Sequence, residues 1–349
     1  MSGGGDSDPG RHVGSVSGQE AASPTEGAEP PPFAPAWWLP GPHLQTLWPY
    51  FVRRRPRVAL RPERIELPDG DFLDLAWTTG TRGPVVLVLH GLEGCVRSRY
   101  ALGLLAQVHR RGWRGVVMHF RGCSGEPNRL ARGYHSGETG DLQTVVERLR
   151  EREPHTPLAA VGYSLGGNVL LKWLGERGPD APLSAAVAVS VPFDLAASAR
   201  RLETGFSRVY QRALVRRLRR SIRRKFAARD CPLDLSDLGR CRTFRASDDR
   251  VTAPLHGFAD AADYYRRSSS AAYLHAIRVP TLVLQARDDP FLPAAAIPAS
   301  AEVSEAVRLE VQAHGGHVGF VTGRLPWRAG YWLETRIPHY LEAFLRTSE

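Results

Sequence analysis

The densest chemistry in the sequence lies at Gly162-Tyr163-Ser164-Leu165-Gly166. A serine with glycines two before and two after it marks a very tight strand-to-helix turn. The turn holds the serine in a strained conformation and lifts its hydroxyl clear of the sheet. There the hydroxyl can act as a nucleophile on a carbonyl carbon. The helix that follows offers free N–H groups to developing negative charge. Serine at neutral pH needs a base, and the base must itself be oriented.

Two later loops supply candidates. Gln312-Ala313-His314-Gly315-Gly316-His317-Val318-Gly319-Phe320 holds two imidazoles. His317 is the expected base, because the paired glycines before it let the loop turn an imidazole inward, and His314 is the alternative. The pair also has H-x-x-H spacing, but without a third ligand no metal site is expected. Arg287-Asp288-Asp289-Pro290-Phe291 holds the acid. Asp289 is the expected acid, with Asp288 and, after an earlier strand, Asp194 as alternatives; either loop aspartate could instead be a turn residue. The negative oxygen of a tetrahedral intermediate needs two backbone donors, one worth roughly 10²–10³ in rate. The Leu165 amide is one candidate. The Leu92 amide, in the loop His90-Gly91-Leu92-Glu93-Gly94, is the other, and the His90 imidazole is read as packing.

These residues converge only if the elements carrying them form one sheet edge. Val85–Leu89 is a continuous apolar run, as expected for a strand buried on both faces. Strands are predicted at 64–67, 72–78, 115–120, 158–161, 185–191, 281–286 and 307–311, with helices at 99–111, 140–152, 168–174 and 331–346. This alternation predicts an α/β class protein with a mostly parallel, doubly wound sheet. The stretch from about 192 to 279 interrupts it and is read as a lid insertion over the carboxyl ends of the strands. Residues 33–62 form an aromatic arm broken by prolines, and residues 1–32 read as a disordered tail rich in Gly, Ser, Pro and Glu.

Together these motifs resemble the α/β-hydrolase superfamily and, within it, the YheT-like esterases related to the animal α/β-hydrolase-domain lipases. The specific signs are Pro42-His43-Leu44-Gln45-Thr46-Leu47-Trp48, His90-Gly91-Leu92-Glu93-Gly94, Phe120-Arg121-Gly122-Cys123-Ser124-Gly125 and Tyr134-His135-Ser136-Gly137-Glu138-Thr139. Asp288-Asp289-Pro290-Phe291 and Gly315-Gly316-His317-Val318-Gly319-Phe320 complete them. The resemblance spans about 33 to the C-terminus. It implies an α/β-hydrolase fold with a helical lid and a serine hydrolase of carboxylic esters, short-chain or acylglycerol-type. Ser164, Asp289 and His317 would be its triad and no cofactor would be required. An acyltransferase on the same fold, or a non-catalytic lipid- or partner-binding protein, are the alternatives. Cys95 departs from the serine frequent in relatives and is expected at the pocket rim.

Composition narrows the partners. No stretch reaches the about 18 apolar residues of a membrane span. The start Met-Ser-Gly-Gly-Gly-Asp lacks the features of a secretory signal, which makes a cytoplasmic location the expectation, with the four cysteines as reduced thiols. The net charge of +10 comes from 200–225, where eleven basic residues face one acid, Glu203. The rest balances, so no nucleic-acid partner is expected. Val215, Leu218, Ile222 and Phe226 share one face of this stretch and arginines cover the remainder: an amphipathic cationic helix. It is read as a packed lid helix, or more sharply as a contact for anionic membrane. The expected partner is otherwise a small-molecule ester.

Overall fold

The computed structural model describes Met1 and residues 32–227 and 229–346. Apart from Met1 and Pro32, the expected disordered tail lies outside the described residues, and the other described residues belong to the compact unit Pro32–Glu349.

Eight strands form one sheet in the order β1-β2-β4-β3-β5-β6-β7-β8. β1 (Leu60–Glu66) and β2 (Phe72–Thr78) make an antiparallel hairpin at one edge. β3 (Val85–Leu89), β4 (Arg114–Met118), β5 (Leu158–Tyr163), β6 (Ala185–Val189), β7 (Thr281–Ala286) and β8 (Val307–Gln312) run parallel. Every residue of β3 to β7 is buried, because helices cover both faces and leave no position for a polar side chain to reach water. One core layer packs Leu142, Val145, Leu149, Leu170 and Trp173 under the helices α3 (Gly140–Arg152) and α4 (Leu165–Arg177). The opposite layer packs Leu104, Leu105, Val108 and Ile337 under the helices α2 (Arg99–Arg110) and α10 (Leu333–Glu342).

Several boundaries differ from the expectation: the strand expected at 115–120 is Arg114–Met118, that at 158–161 runs on to Tyr163, and the closing helix expected at 331–346 is Leu333–Glu342. The strand expected at 185–191 ends at Val189, because Ser190 takes a φ of +51° and turns the chain out of the sheet. The helix after the elbow starts at Leu165 rather than at residue 168, since the turn consumes only the serine. β1 begins at Leu60 and contains Pro62, which an edge strand tolerates. The arm contains an eleven-residue helix, α1 (Gly41–Phe51): Pro42 falls in its first turn, where no N–H is required. Between β6 and β7 the regular elements among the described residues are helices joined by loops: α5 (Leu195–Leu202), α6 (Ser207–Lys225), and α7 (Phe244–Ser247), which passes through a π turn (Asp248–Thr252) into α8 (Ala253–His256), then α9 (Ala261–Ser268). Among the described residues, no helix is long and apolar enough to cross a membrane. All four cysteines are unpaired.

Candidate active site

Ser164 sits between β5 and α4 with φ +52° and ψ −118°. Such a conformation costs of order 1–3 kcal/mol and persists only when its surroundings overdetermine it. Here they do. The Ser164 amide donates to the Val189 carbonyl at 2.8 Å, and its carbonyl accepts from the Asn168 amide at 3.0 Å. Gly166 passes so close to β3 that a Cβ would lie 2.5 Å from the Leu89 carbonyl oxygen. The tight turn therefore needs a residue without a side chain there.

The chain brings His317 back to this elbow after β8. His317 Nε2 lies 2.9 Å from Ser164 Oγ, and Nδ1 lies 2.9 Å from Asp289 Oδ2 and 3.1 Å from Oδ1. A carboxylate only accepts, so Nδ1 carries the ring proton and Nε2 accepts from the serine hydroxyl. Asp289 is 3% exposed and immobilised. Its Oδ1 accepts from the Phe291 amide at 2.8 Å and its Oδ2 from Gln285 Nε2 at 3.1 Å. The Phe291 ring stacks on the imidazole, with centroids 4.0 Å apart and planes at 12°. In this arrangement a proton can pass from the hydroxyl to an imidazole whose opposite nitrogen faces a negative charge.

The alternatives fall elsewhere. Asp288 Oδ1 accepts from the Gly316 amide at 2.9 Å, bracing the histidine loop. His314 is exposed and lies 3.4 Å from Asp288 Oδ2. Asp194 caps α5, accepting from the Ala197 amide at 2.9 Å.

The arm explains why the histidine loop holds its shape. Thr46 Oγ1 accepts from the His317 amide at 2.9 Å and donates to the Pro42 carbonyl at 2.7 Å. Gln45 is buried and pairs with both backbone groups of Val321, at 2.7 Å to its amide and 3.2 Å to its carbonyl. Gly316, at φ +61°, packs directly on α1, where a Cβ would lie 2.5 Å from the Pro42 carbonyl oxygen. Val318, a β-branched residue at φ +57°, is held by a bond from its amide to Ser190 Oγ at 2.9 Å.

The loop after β3 is tied just as firmly. The Gly91 amide donates to Tyr100 Oη at 2.8 Å and the Glu93 amide to Tyr134 Oη at 2.9 Å. Between them the Leu92 amide makes no hydrogen bond among the described residues. The Leu165 amide lies in the first turn of α4, where a helix has no internal acceptor. Both leucines line the cavity that Ser164 and His317 also line. His90 is structural: Nδ1 donates to the Gly91 carbonyl at 2.8 Å and Nε2 accepts from the Phe120 amide at 3.2 Å. Complete burial lowers its pKa to about 3, so the ring is neutral. Two other motifs serve as props. Arg121 makes a bidentate pair with Asp141 at 2.8 and 2.6 Å and also reaches Asp69 and Asp71. Asn168 joins the Ser136 and Ser268 carbonyls and the Ser270 amide.

The insertion forms the outer wall of the cavity through Leu195, Leu202, Leu214, Leu218 and Phe244. Ser207 Oγ at the start of α6 donates to the Pro290 carbonyl at 2.7 Å, and Ser221 Oγ near its end donates to Glu93 Oε2 at 2.5 Å. Cys95, expected at the rim, is not among the cavity-lining residues; its amide bonds Ser98 Oγ at 3.2 Å.

Gln45, Thr46, Ser190, Gln285 and Phe291 hold this geometry, and motif reasoning assigned them no role. Gln285 did carry a signal, as a polar side chain in an apolar buried strand. Ser190 carried none, because its contact spans 128 positions of chain.

Comparison with known proteins agrees with this architecture. A family profile described as alpha/beta hydrolase fold matches residues 84–324. The chain is 48% identical over 309 residues to a protein of Escherichia coli named "Putative esterase YheT", covering 87% of this chain and 91% of that one. It is 32% identical over 311 residues to "Phospholipase ABHD3" of Bos taurus, covering 86% and 75%. It is 30% identical over 270 residues to "Monoacylglycerol lipase" of Saccharomyces cerevisiae, covering 75% and 59%. Among solved structures, an esterase of Pyrococcus furiosus shares the fold with a TM-score of 0.55 at 17% identity, covering 83% of this chain and 92% of that one. A profile match over more than half the chain, with near half identity along a full-length relative, is too extensive for likeness of fold alone, and the chain belongs to the esterase- and lipase-like proteins of the alpha/beta hydrolase family.

Proposed function

We propose that the protein hydrolyses carboxylic esters through Ser164, His317 and Asp289. The observation that carries this reading is the unbroken hydrogen-bond chain from Ser164 Oγ through both ring nitrogens of His317 to Asp289, opening on an apolar cavity. Ser164 Oγ attacks the ester carbonyl while His317 Nε2 takes its proton. The tetrahedral oxygen turns toward the amides of Leu92 and Leu165. His317 then returns the proton to the departing alkoxide, leaving an acyl group on Ser164. Water, deprotonated by the same imidazole, attacks the acyl carbonyl and releases the acid. Short-chain esters and acylglycerols suit the apolar walls, and the names of the relatives point the same way. A fluorophosphonate probe should add to Ser164, read as a mass increase on its peptide. A series of nitrophenyl esters from acetate to dodecanoate should be turned over and report the acyl preference. Labelling confined to other residues, without turnover of any ester, would reject the reading in favour of a non-catalytic binding protein. Acyl transfer to an added alcohol exceeding hydrolysis would favour an acyltransferase.

A second reading concerns the outer face of the insertion. Arg208, Arg212, Arg216 and Arg220 stand four residues apart on α6 and are exposed. Among the described residues none of the four is in an ion pair, whereas Arg245, Arg266 and Arg267 nearby in the insertion all are. Beside the start of α6, Phe206 contacts His43 of α1, at 4.6 Å between ring centroids, and Phe51 of the same helix is 67% exposed. Unpaired arginines next to exposed aromatic rings match an anionic phospholipid surface, each cation contributing about 1 kcal/mol. The protein should sediment with vesicles containing phosphatidylserine and not with pure phosphatidylcholine, and salt should weaken binding. Changing Arg212, Arg216 and Arg220 to Gln should lower that affinity by roughly 10²-fold. Equal sedimentation with both vesicle types would remove the proposal.

A further inference from the structure

Glu93 follows Leu92 in the loop after β3 and holds a φ of +53°, a left-handed conformation that favours glycine. It is the third residue of a turn closed by the Gly94 amide, which donates to the Gly91 carbonyl at 2.9 Å. His90 Nδ1 donates to the same carbonyl at 2.8 Å. The N–H of a trans peptide points opposite to its carbonyl, so these two bonds also fix the direction of the Leu92 N–H. That peptide borders the nucleophile: a Cβ on Gly91 would lie 3.3 Å from Ser164 Cβ. The aim of the Leu92 amide therefore depends on the turn keeping its shape, and the turn depends on the strained Glu93.

Glu93 is held from two directions. Tyr134 Oη accepts from its amide at 2.9 Å and donates to its Oε1 at 3.0 Å, and the Tyr134 ring stacks on Phe120 with planes at 12°. From the lid, Ser221 Oγ of α6 donates to its Oε2 at 2.5 Å. A serine inside a helix ordinarily bonds back to a carbonyl one turn earlier or faces water, whereas this one reaches a carboxylate 128 positions away. Arginines flank it on α6, yet Arg219 and Arg224 donate to the Gly239 and Gly122 carbonyls, and the α6 group that meets Glu93 is the serine. One turn on, the buried Lys225 Nζ donates to Asn128 Oδ1 at 2.7 Å and to the Arg132 carbonyl at 2.6 Å. The same helix end thus grips the loop that carries Tyr134.

We propose that Glu93 is a positioning residue that couples the lid to the oxyanion donor. With α6 docked, the Ser221–Glu93–Tyr134 link holds the turn that aims the Leu92 amide at the tetrahedral oxygen; with α6 displaced, the turn relaxes and the donor is lost. This rests on the reading of Ser164 as nucleophile and of Leu92 as donor. A link that only packed the lid over bound ester would act on KM. A link to the donor acts on kcat, because the oxygen carries its charge only after attack.

The test uses the full chain with nitrophenyl butanoate as substrate. Complete loss of one oxyanion donor is worth roughly 10²–10³ in kcat, so misplacing it through the link should cost less, ~5-fold in Ser221→Ala and ~30-fold in Glu93→Ala. KM should stay within about two-fold of wild type in both. Ser221→Thr, which keeps the hydroxyl, should recover most of the loss. The double variant Ser221→Ala/Glu93→Ala should be no slower than Glu93→Ala alone, since the two residues act through one link. A second measurement needs no turnover: hydrogen–deuterium exchange of peptides covering residues 90–96 should be faster in Ser221→Ala than in wild type, with peptides of β5 and β7 unchanged. Losses that multiply in the double variant, a rise in KM in place of the fall in kcat, or exchange at residues 90–96 unchanged in both single variants would overturn the coupling. A wild-type protein that turns over no ester, while exchange at residues 90–96 still responds to Ser221→Ala, would instead count against the nucleophile alone.

Discussion

Ser164→Ala should lose ester turnover by about 10⁴- to 10⁶-fold while remaining folded. The magnitude follows from covalent catalysis: without the hydroxyl no acyl-enzyme forms, and the two backbone donors and the cavity retain only the modest acceleration that binding and oxyanion stabilisation supply. Retention of the fold follows from where the oxygen sits. Among the described residues its hydrogen-bond partner is His317 Nε2, and the backbone bonds of Ser164 to Val189 and Asn168 do not involve the side chain. Alanine must adopt the same positive φ, so the strain is nearly unchanged. Far-ultraviolet circular dichroism and a melting temperature within a few degrees of wild type would establish the control. Steady-state kinetics on a nitrophenyl ester, with fluorophosphonate labelling run in parallel, give the result. Residual turnover above about one per cent of wild type, after exclusion of contaminating activity, would mean that another group attacks the carbonyl.

Asp289→Asn should cost about 10⁴-fold in kcat, while Asp288→Asn should cost less than about 10-fold, and the contrast is the informative quantity. An amide in place of the Asp289 carboxylate presents an N–H to His317 Nδ1 or a weaker acceptor. The first outcome moves the ring proton to Nε2, where it can no longer accept from Ser164. The second leaves the imidazolium formed during attack without a facing negative charge. Asparagine keeps one acceptor oxygen, enough for the Phe291 amide or for Gln285 Nε2 but not for both, so one tether still holds the side chain while the chemistry fails. At Asp288 the Oδ1 that accepts from the Gly316 amide is retained in asparagine, and the contact with exposed His314 is long at 3.4 Å. Equal losses in the two variants would show that bracing of the histidine loop, not charge, governs activity. A larger loss at Asp288 would move the acid to that residue.

These variants test residues that could be nominated from sequence because their signals are local. The elbow announces itself in five consecutive residues: its glycines answer a backbone clash that any chain making this turn must avoid. The apolar runs Val85–Leu89, Leu158–Val161 and Thr281–Ala286 announce strands buried on both faces for an equally local reason, the absence of any position that can face water. The chain order of serine, acid and histidine then places all three at the carboxyl edge of such a sheet.

What local pattern could not decide was which of two adjacent aspartates faces the imidazole and which braces its loop. That outcome turns on side chains distant in sequence. Gln285 orients Asp289 from within β7, the Gly316 amide claims Asp288, and Thr46 in the arm grips the His317 backbone across 271 positions. The arm itself shows the same limit. Its prolines suggested a broken segment, yet Gly41–Phe51 is a helix, stabilised because Gln45 and Thr46 find their partners on the histidine loop. Nor could spacing show that Leu195, Leu214 and Phe244 line the cavity that holds Ser164, since helices of the insertion bury only stripes, and which stripe faces the sheet depends on how they pack. Motifs nominate the candidate groups because local backbone geometry constrains them. Selection among neighbouring candidates, and the shape of the space in front of them, comes from hydrogen bonds and packing between segments that only the folded chain brings within reach.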